Sequence, residues 1–339
     1  VSGGLLPAGP NQGWIYRDRV SAAAAGSLIS AFYAERHRHS GRKIWEQRLA
    51  AGEIHRNGQR LRADGPLQPG DRLAWHRPPW QEPAVPASWP LLFDDGDLYV
   101  IAKPSGLPVL PAGGFLEHTV LRLLEKRHAG GEPPRPVHRL GRFTSGLLVC
   151  ARRPASRAWL SAQLGESSSG RPAAEPLPCR KLYRALLRPG RLALEPGESL
   201  ALATPIGRRP HPRLGMVWCA AAAADPAALP AFSRLTLLRR RPDADLVDVA
   251  IATGRPHQIR IHCAAAGAPL LGDPLYLPGG LAQAEALPGD GGYQLHAWRL
   301  SLTRPDGTTL LLEAPLPEIL EDLEAPGTGQ RPAGGAAPA

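Results

Sequence analysis

Three separated segments of this 339-residue chain set glycines and charged residues against apolar runs: 101–111 (IAKPSGLPVLP), 137–152 (VHRLGRFTSGLLVCAR) and 251–276 (IATGRPHQIRIHCAAAGAPLLGDPLY). Lys103-Pro104-Ser105-Gly106 reads as a turn closing a strand. His138-Arg139-Leu140 lies between two apolar runs, where a histidine is either hydrogen-bonded core or an acid–base group. In the third segment Pro256 suits the first turn of a helix, which would bring His257, Arg260 and His262 out on adjacent faces. No nucleophile–base–orienter set accompanies His138 or His257, which counts against a hydrolase.

The cations point instead to an anionic partner. Forty Lys and Arg against thirty Asp and Glu give a formal charge of +10, as nucleic-acid-binding chains often show. Lysine occurs only at Lys43, Lys103, Lys126 and Lys181, a bias toward arginine that a GC-rich genome would also produce, although such a genome does not explain the shortage of acids. Cys150, Cys179, Cys219 and Cys263 lie too far apart to spell a zinc knuckle or a disulfide framework, so free buried thiols are expected. No apolar run approaches the roughly 20 residues of a membrane span and no secretory pattern opens the chain, so a cytoplasmic protein without membrane contact is expected.

The elements that must position these segments follow from periodicity. Residues 98–102, 146–151, 181–187, 235–239, 246–252 and 298–303 read as strands, with 116–128 and 155–164 as helices. Helices this few cannot build repeating βαβ units, so the main domain is expected to be α+β, with a mixed, largely antiparallel sheet. Upstream, 41–51 reads as a helix stopped by Gly52, followed by a hairpin at Asn57-Gly58 and a turn at Pro69-Gly70-Asp71. The stretches 165–179 and 278–292 read as mobile loops, and the Pro/Gly/Ala-rich C-terminus as disordered.

Taken in order, Lys103-Pro104-Ser105-Gly106-Leu107, His138-Arg139-Leu140 with Thr144-Ser145-Gly146-Leu147-Leu148, Lys181-Leu182-Tyr183-Arg184-Ala185, Thr253-Gly254-Arg255-Pro256-His257-Gln258-Ile259-Arg260-Ile261-His262, Gly272-Asp273-Pro274-Leu275-Tyr276 and Leu295-His296-Ala297 resemble the RluA-type RNA pseudouridine synthases. The segment with AGEIHRNGQRL and LQPGDRLAW resembles an S4-type RNA-binding domain. The resemblance implies a pseudouridine synthase fold with a central cleft and flanking helices, preceded by a small S4-like α/β domain. The expected division is 1–40 N-terminal extension, 41–76 S4-like domain, 77–90 linker, 91–318 catalytic domain and 319–339 disordered tail. It also implies isomerisation of uridine to pseudouridine in structured RNA, rRNA or tRNA, by base flipping, with no cofactor and no metal. A monomer is the expected state.

By the same resemblance, Tyr183 stacks on the target base and assists proton removal from C5, Arg260 pairs with the catalytic aspartate, and Arg139 enters the space left by the extruded base. His138, Arg139, Arg142, Lys103, Arg255, His257, Gln258 and His262 are expected to contact RNA. At the position of that aspartate, which acts on the ribose at C1′ or C2′, this chain carries Gly141. Glycine can do neither, and its presence would leave a buried Arg260 unpaired. Three readings stay open: a catalytically inactive relative that binds RNA, a carboxylate brought from elsewhere, or altered chemistry. Asp94, Asp95, Asp97 and Asp273 fall at positions with structural duties, while Glu166 and Glu175 could serve only if their loop folds over the cleft. Gly141-Arg142 could also suit a phosphate, with Arg142 a solvated loop residue as the alternative.

Overall fold

The computed structural model describes residues 4–166 and 179–322. Near the N-terminus, β1 (Trp14–Arg19), α1 (Ile29–Arg36), α2 (Arg42–Ala51), β2 (Ile54–Arg56), β3 (Gln59–Arg60) and β4 (Arg72–Arg77) form one packed unit, with sheet order β1-β4-β2-β3. Helix α2 ends at Gly52, whose left-handed backbone lets its N–H reach the carbonyls of Arg48 and Leu49. The hairpin turns at Asn57-Gly58, pairing His55 with Arg60. The core of this unit combines Val20, Ile29 and Tyr33 with Trp45, Leu49, Ile54, Leu73 and Trp75. The boundary expected between residues 40 and 41 falls inside a single apolar core, because Val20, Ile29 and Tyr33 ahead of it pack with Trp45, Leu49 and Trp75 beyond it.

The stretch expected as a linker, 77–90, is docked rather than free. Gln81–Glu82 pairs with Gly9–Pro10, and Val85–Pro86 with Leu5–Leu6. Glu82 is buried and accepts hydrogen bonds from the backbone N–H groups of Leu116, Glu117 and His118 and from the Asn11 amide. A carboxylate with four donors can be buried at tolerable cost, and it ties the strap to the main domain.

The main domain is built from β5 (Leu91–Asp94), β6 (Leu98–Lys103), α3 (Val120–Arg127), β7 (Thr144–Ala151), α4 (Pro154–Glu166), β8 (Cys179–Leu187), β9 (Ser199–Leu202), β10 (Ile206–His211), β11 (Gly215–Ala220), β12 (Ser233–Arg240), β13 (Asp245–Ile251), α5 (Gln258–Ala265), β14 (Leu295–Thr303) and β15 (Thr309–Glu313). The large sheet runs β9-β12-β13-β8-β14-β7-β6-β5, with β15 added on β14 and Arg135–Pro136 on β7. Every pairing in it is antiparallel except β7 with β14. The expected α+β class and all six expected strands are present. Helix α3 starts later than expected because the Thr119 hydroxyl caps it by accepting from the Arg122 N–H. Helix α5 begins at Gln258 rather than at Pro256, because His257 takes a left-handed backbone with φ 56°.

Two apolar cores flank the β7–β14 junction. One packs β6 and β7 against α3 and α4, and the other packs β8, β12 and β13 against α5. At the junction the strands approach so closely that a Cβ on Gly146 would lie 2.2 Å from the Ala297 carbonyl oxygen, and Gly146 has φ +99°. Only glycine satisfies both conditions. Loop 278–292 is anchored through Gly279 N–H to Ala264 and through the Pro288 carbonyl to Arg260. The tail expected from 319 onward begins packed, since Leu320 is buried with Leu246. Residues 323–339 and most of loop 165–179, including Glu175, lie outside the described residues. Cys150, Cys219 and Cys263 are free and buried.

Candidate active site

Because β7 and β14 are parallel and in register at Thr144–Leu295, the segments entering them arrive side by side. They open a cleft of about 520 Å³ between the two apolar cores. Its walls carry His138, Arg139 and Gly141 ahead of β7, Tyr183 on β8, Arg255, His257, Gln258 and Arg260 around the start of α5, and Tyr293 ahead of β14. Segments more than a hundred residues apart thus meet in one site. Tyr183 is placed there by its pairing with Val249 on one side and Ala297 on the other.

Arg260 is not left without an anion. Its Nε and Nη2 donate to the two carboxylate oxygens of Asp273 at 2.7 and 2.8 Å, and Nη1 donates to the Pro288 carbonyl at 3.0 Å. Both side chains are almost fully buried, at 3% and 0% exposure. Burial opposes the guanidinium charge, yet the hydrogen bonds it donates to Asp273 hold its pKa above the ordinary value. The expectation of an unpaired arginine is corrected by the Gly272-Asp273 turn, whose carboxylate is aimed at Arg260 behind the cleft wall and is itself held by the Leu275 N–H.

Gly141 faces a filled space. A Cβ there would lie 2.2 Å from the Tyr293 hydroxyl oxygen and 3.2 Å from Thr144 Oγ1. The Tyr293 ring lies under the Arg260 guanidinium, 4.3 Å from its centre, and meets Phe143 edge-on. Its hydroxyl is 3.4 Å from Thr144 Oγ1. Sequence reasoning passed over Tyr293. Its position two residues ahead of Leu295-His296-Ala297 was the available signal, and only the parallel pairing gives that signal meaning.

The histidines of the cleft are neutral. His138 Nε2 accepts the Val149 N–H, which puts its own proton on Nδ1, and burial pushes its pKa down to about 4. His257 Nδ1 bonds the Tyr276 hydroxyl, which donates onward to the Trp218 carbonyl, and burial pushes this histidine down to about 3. Neither contacts a serine, threonine or cysteine hydroxyl or thiol in these bonds, so no hydrolase triad forms around them.

Three residues expected to meet RNA are elsewhere. Lys103 is 1% exposed and donates to the carbonyls of Pro104, Leu107 and Arg142. It fastens the 103–107 turn to the loop ahead of β7, and burial lowers its pKa to about 7. His262 is wholly buried between Ser233 and the Thr204 carbonyl. Arg142 lies over Phe115 and Phe143 with its Nε on the Gly106 carbonyl, outside the cleft and not free in solvent. Gln258 reaches the cleft wall, but its amide is committed to Thr253, Arg255, Phe232 and Ser233, so it braces the loop.

Three of the other acids considered as replacements are also engaged, while the side chains of Glu166 and Glu175 lie outside the described residues. Asp94 binds Arg152 through both oxygens, Asp95 accepts from Asp97 and Leu98, and Asp97 accepts from Arg153 and Ser156. Among the described residues lining the cleft none is an acid. No group of three or more His, Cys, Asp or Glu among the described residues could hold a metal, and no described helix is long and apolar enough to cross a membrane.

Residues 97–265, which contain most of these walls, match the family model for RNA pseudouridylate synthase. The chain is 42% identical over 292 residues to an uncharacterized RNA pseudouridine synthase of Synechocystis sp., covering 85% of this chain and 94% of that one. It is 34% identical over 247 residues to ribosomal large subunit pseudouridine synthase D of Neisseria meningitidis, covering 70% of this chain and 61% of that one. Its fold matches human RNA pseudouridylate synthase domain containing 1 with a TM-score of 0.50 at 22% identity, over 69% of this chain and 87% of that one. The sheet with its central cleft is accordingly a pseudouridine synthase fold, and the chain belongs to the RNA pseudouridine synthase family.

Proposed function

We propose that this protein is an RluA-type enzyme that isomerises uridine to pseudouridine in a structured ribosomal or transfer RNA, without a cofactor. The observation that carries this is the single cleft in which Tyr183, Arg260, Arg139 and Arg255 meet although they come from three distant segments. Its lining combines apolar side chains such as Leu140, Ile251 and Leu295, suited to a base face, with the cations Arg139 and Arg255, suited to phosphates. The target nucleotide leaves its helix to enter, because C1′ and both faces of the base must be reached. The N-terminal unit acts as an S4-type module that helps hold the RNA, and the protein works in the cytoplasm as a monomer. The name of the Neisseria relative supports a ribosomal target.

Gly141 favours one second reading, an RNA-binding relative that has lost turnover. Mapping pseudouridine across total RNA from cells with and without the gene, then treating the gene-deleted RNA with purified protein, decides between them. Sites lost with the gene and restored by the protein support the enzyme. Salt-sensitive binding with no site restored supports the second reading, and absence of both removes the two together.

A further inference from the structure

We propose that the Tyr293 hydroxyl takes over the reaction with the ribose that a carboxylate at position 141 would perform. This rests on the reading of the protein as an active pseudouridine synthase. The hydroxyl oxygen lies 2.2 Å from the point a Cβ at position 141 would occupy, which is about the reach of a carboxylate oxygen from its own Cβ. It reaches that point from the neighbouring segment, because the parallel β7–β14 pairing brings residues 141 and 293 side by side. Tyr293 is a residue of the cleft lining, and it is held at 2% exposure with its ring against Phe143 and the Arg260 cation. Among the described residues of that lining the side-chain hydroxyls are those of Thr144, Tyr183 and Tyr293, and no carboxylate competes with them.

Tyrosine is a competent nucleophile at an anomeric carbon, as some glycosidases use it. The Tyr293 oxygen forms a bond to C1′ as the C1′–N1 bond breaks, its electron pair departing with the uracil. The phenol proton passes to the uracil, which is released as the neutral base with hydrogen on N1. After the base turns, C5 forms the new bond to C1′ and Tyr293 leaves as phenolate. That phenolate takes the proton from C5, so one proton enters at N1, one leaves at C5, and the tyrosine is regenerated. Arg260, whose guanidinium lies over the Tyr293 ring, supplies fixed positive charge near the phenol on which negative charge develops.

The test compares the full chain, Tyr293→Phe, Gly141→Asp and the double variant on total RNA from gene-deleted cells, with pseudouridine mapping, gel-shift affinity and melting measured for each. Tyr293→Phe keeps the ring and its packing, and is expected to lower conversion by about 100-fold or more at unchanged RNA affinity and melting. Gly141→Asp alone drives its side chain into the Tyr293 hydroxyl and lowers melting. In the double variant the new Cβ meets Thr144 Oγ1 at 3.2 Å and the nearest ring carbon at 3.6 Å, so a shift of a few tenths of an ångström in the Thr144 hydroxyl admits a carboxylate and conversion returns. Conversion by Tyr293→Phe within a few-fold of the full chain overturns the role of Tyr293 and leaves the synthase reading standing, with Glu166→Gln and Glu175→Gln then the variants that lose turnover. A full chain that converts nothing while the double variant converts uridine also overturns it. Failure of all four proteins to convert any site overturns the proposal together with the synthase reading.

Discussion

Replacing Asp273 with asparagine isolates what the Arg260–Asp273 pair contributes. The substitution keeps the shape of the side chain and leaves the Arg260 guanidinium at 3% exposure without an anion. Removing one partner of a buried, doubly hydrogen-bonded pair costs about 3–5 kcal/mol, because the remaining charge stays desolvated. The chain provides its own control in Arg299–Glu313, where both side chains are about half exposed, at 50% and 55%. Glu313→Gln should cost about 0.2–1 kcal/mol, since water already solvates both charges. Urea titration of the full chain, read by tryptophan fluorescence, measures both changes on one scale. The Asp273→Asn loss should persist at high salt, while any Glu313→Gln loss should shrink. If the two variants proved equally stable, the argument that Asp273 is the anion that compensates the buried Arg260 would be refuted.

Further outcomes follow from the same geometry. Lys103→Met should destabilise the chain by about 1–3 kcal/mol, by leaving carbonyls without their donor, yet keep the salt dependence of RNA binding. Arg139→Ala should do the reverse, reducing the slope of log affinity against log salt by roughly one phosphate contact while melting is unchanged. Gly146→Ala should cost more than about 1 kcal/mol in urea, since its new Cβ meets the Ala297 carbonyl at a positive φ. Burial holds His138 down to about 4 and His257 to about 3, against 6.5 when unfolded, so the unfolded chain binds more protons between those values. Stability should therefore be full above pH 6.5 and fall as pH drops toward 4, and His138→Gln should flatten part of that slope in a pH series of urea titrations.

Much of this protein was legible in its residues taken in order. Alternation in Val247, Val249 and Ile251 marked β13, Gly52 marked the end of α2, and the run from Thr253 to His262 marked a cationic loop entering a helix. These are local properties, because strand periodicity, turn chemistry and helix stops depend on neighbours within a few residues. Periodicity could not say which cations face the cleft. Lys103 and Arg142 carry the same charge in the sequence as Arg139 and Arg255, and only burial of the first and the packing of the second against Phe115, Phe143 and the Gly106 carbonyl separate a fastening from a contact. Nor could residue order pair Asp273 with Arg260, or bring Tyr293 to Gly141 across 150 residues. Those relations belong to the parallel junction of β7 and β14, a non-local pairing whose register is set by the packing of two cores. Gly141 by itself marked only a position without a side chain, and the tertiary structure set the Tyr293 phenol oxygen against it.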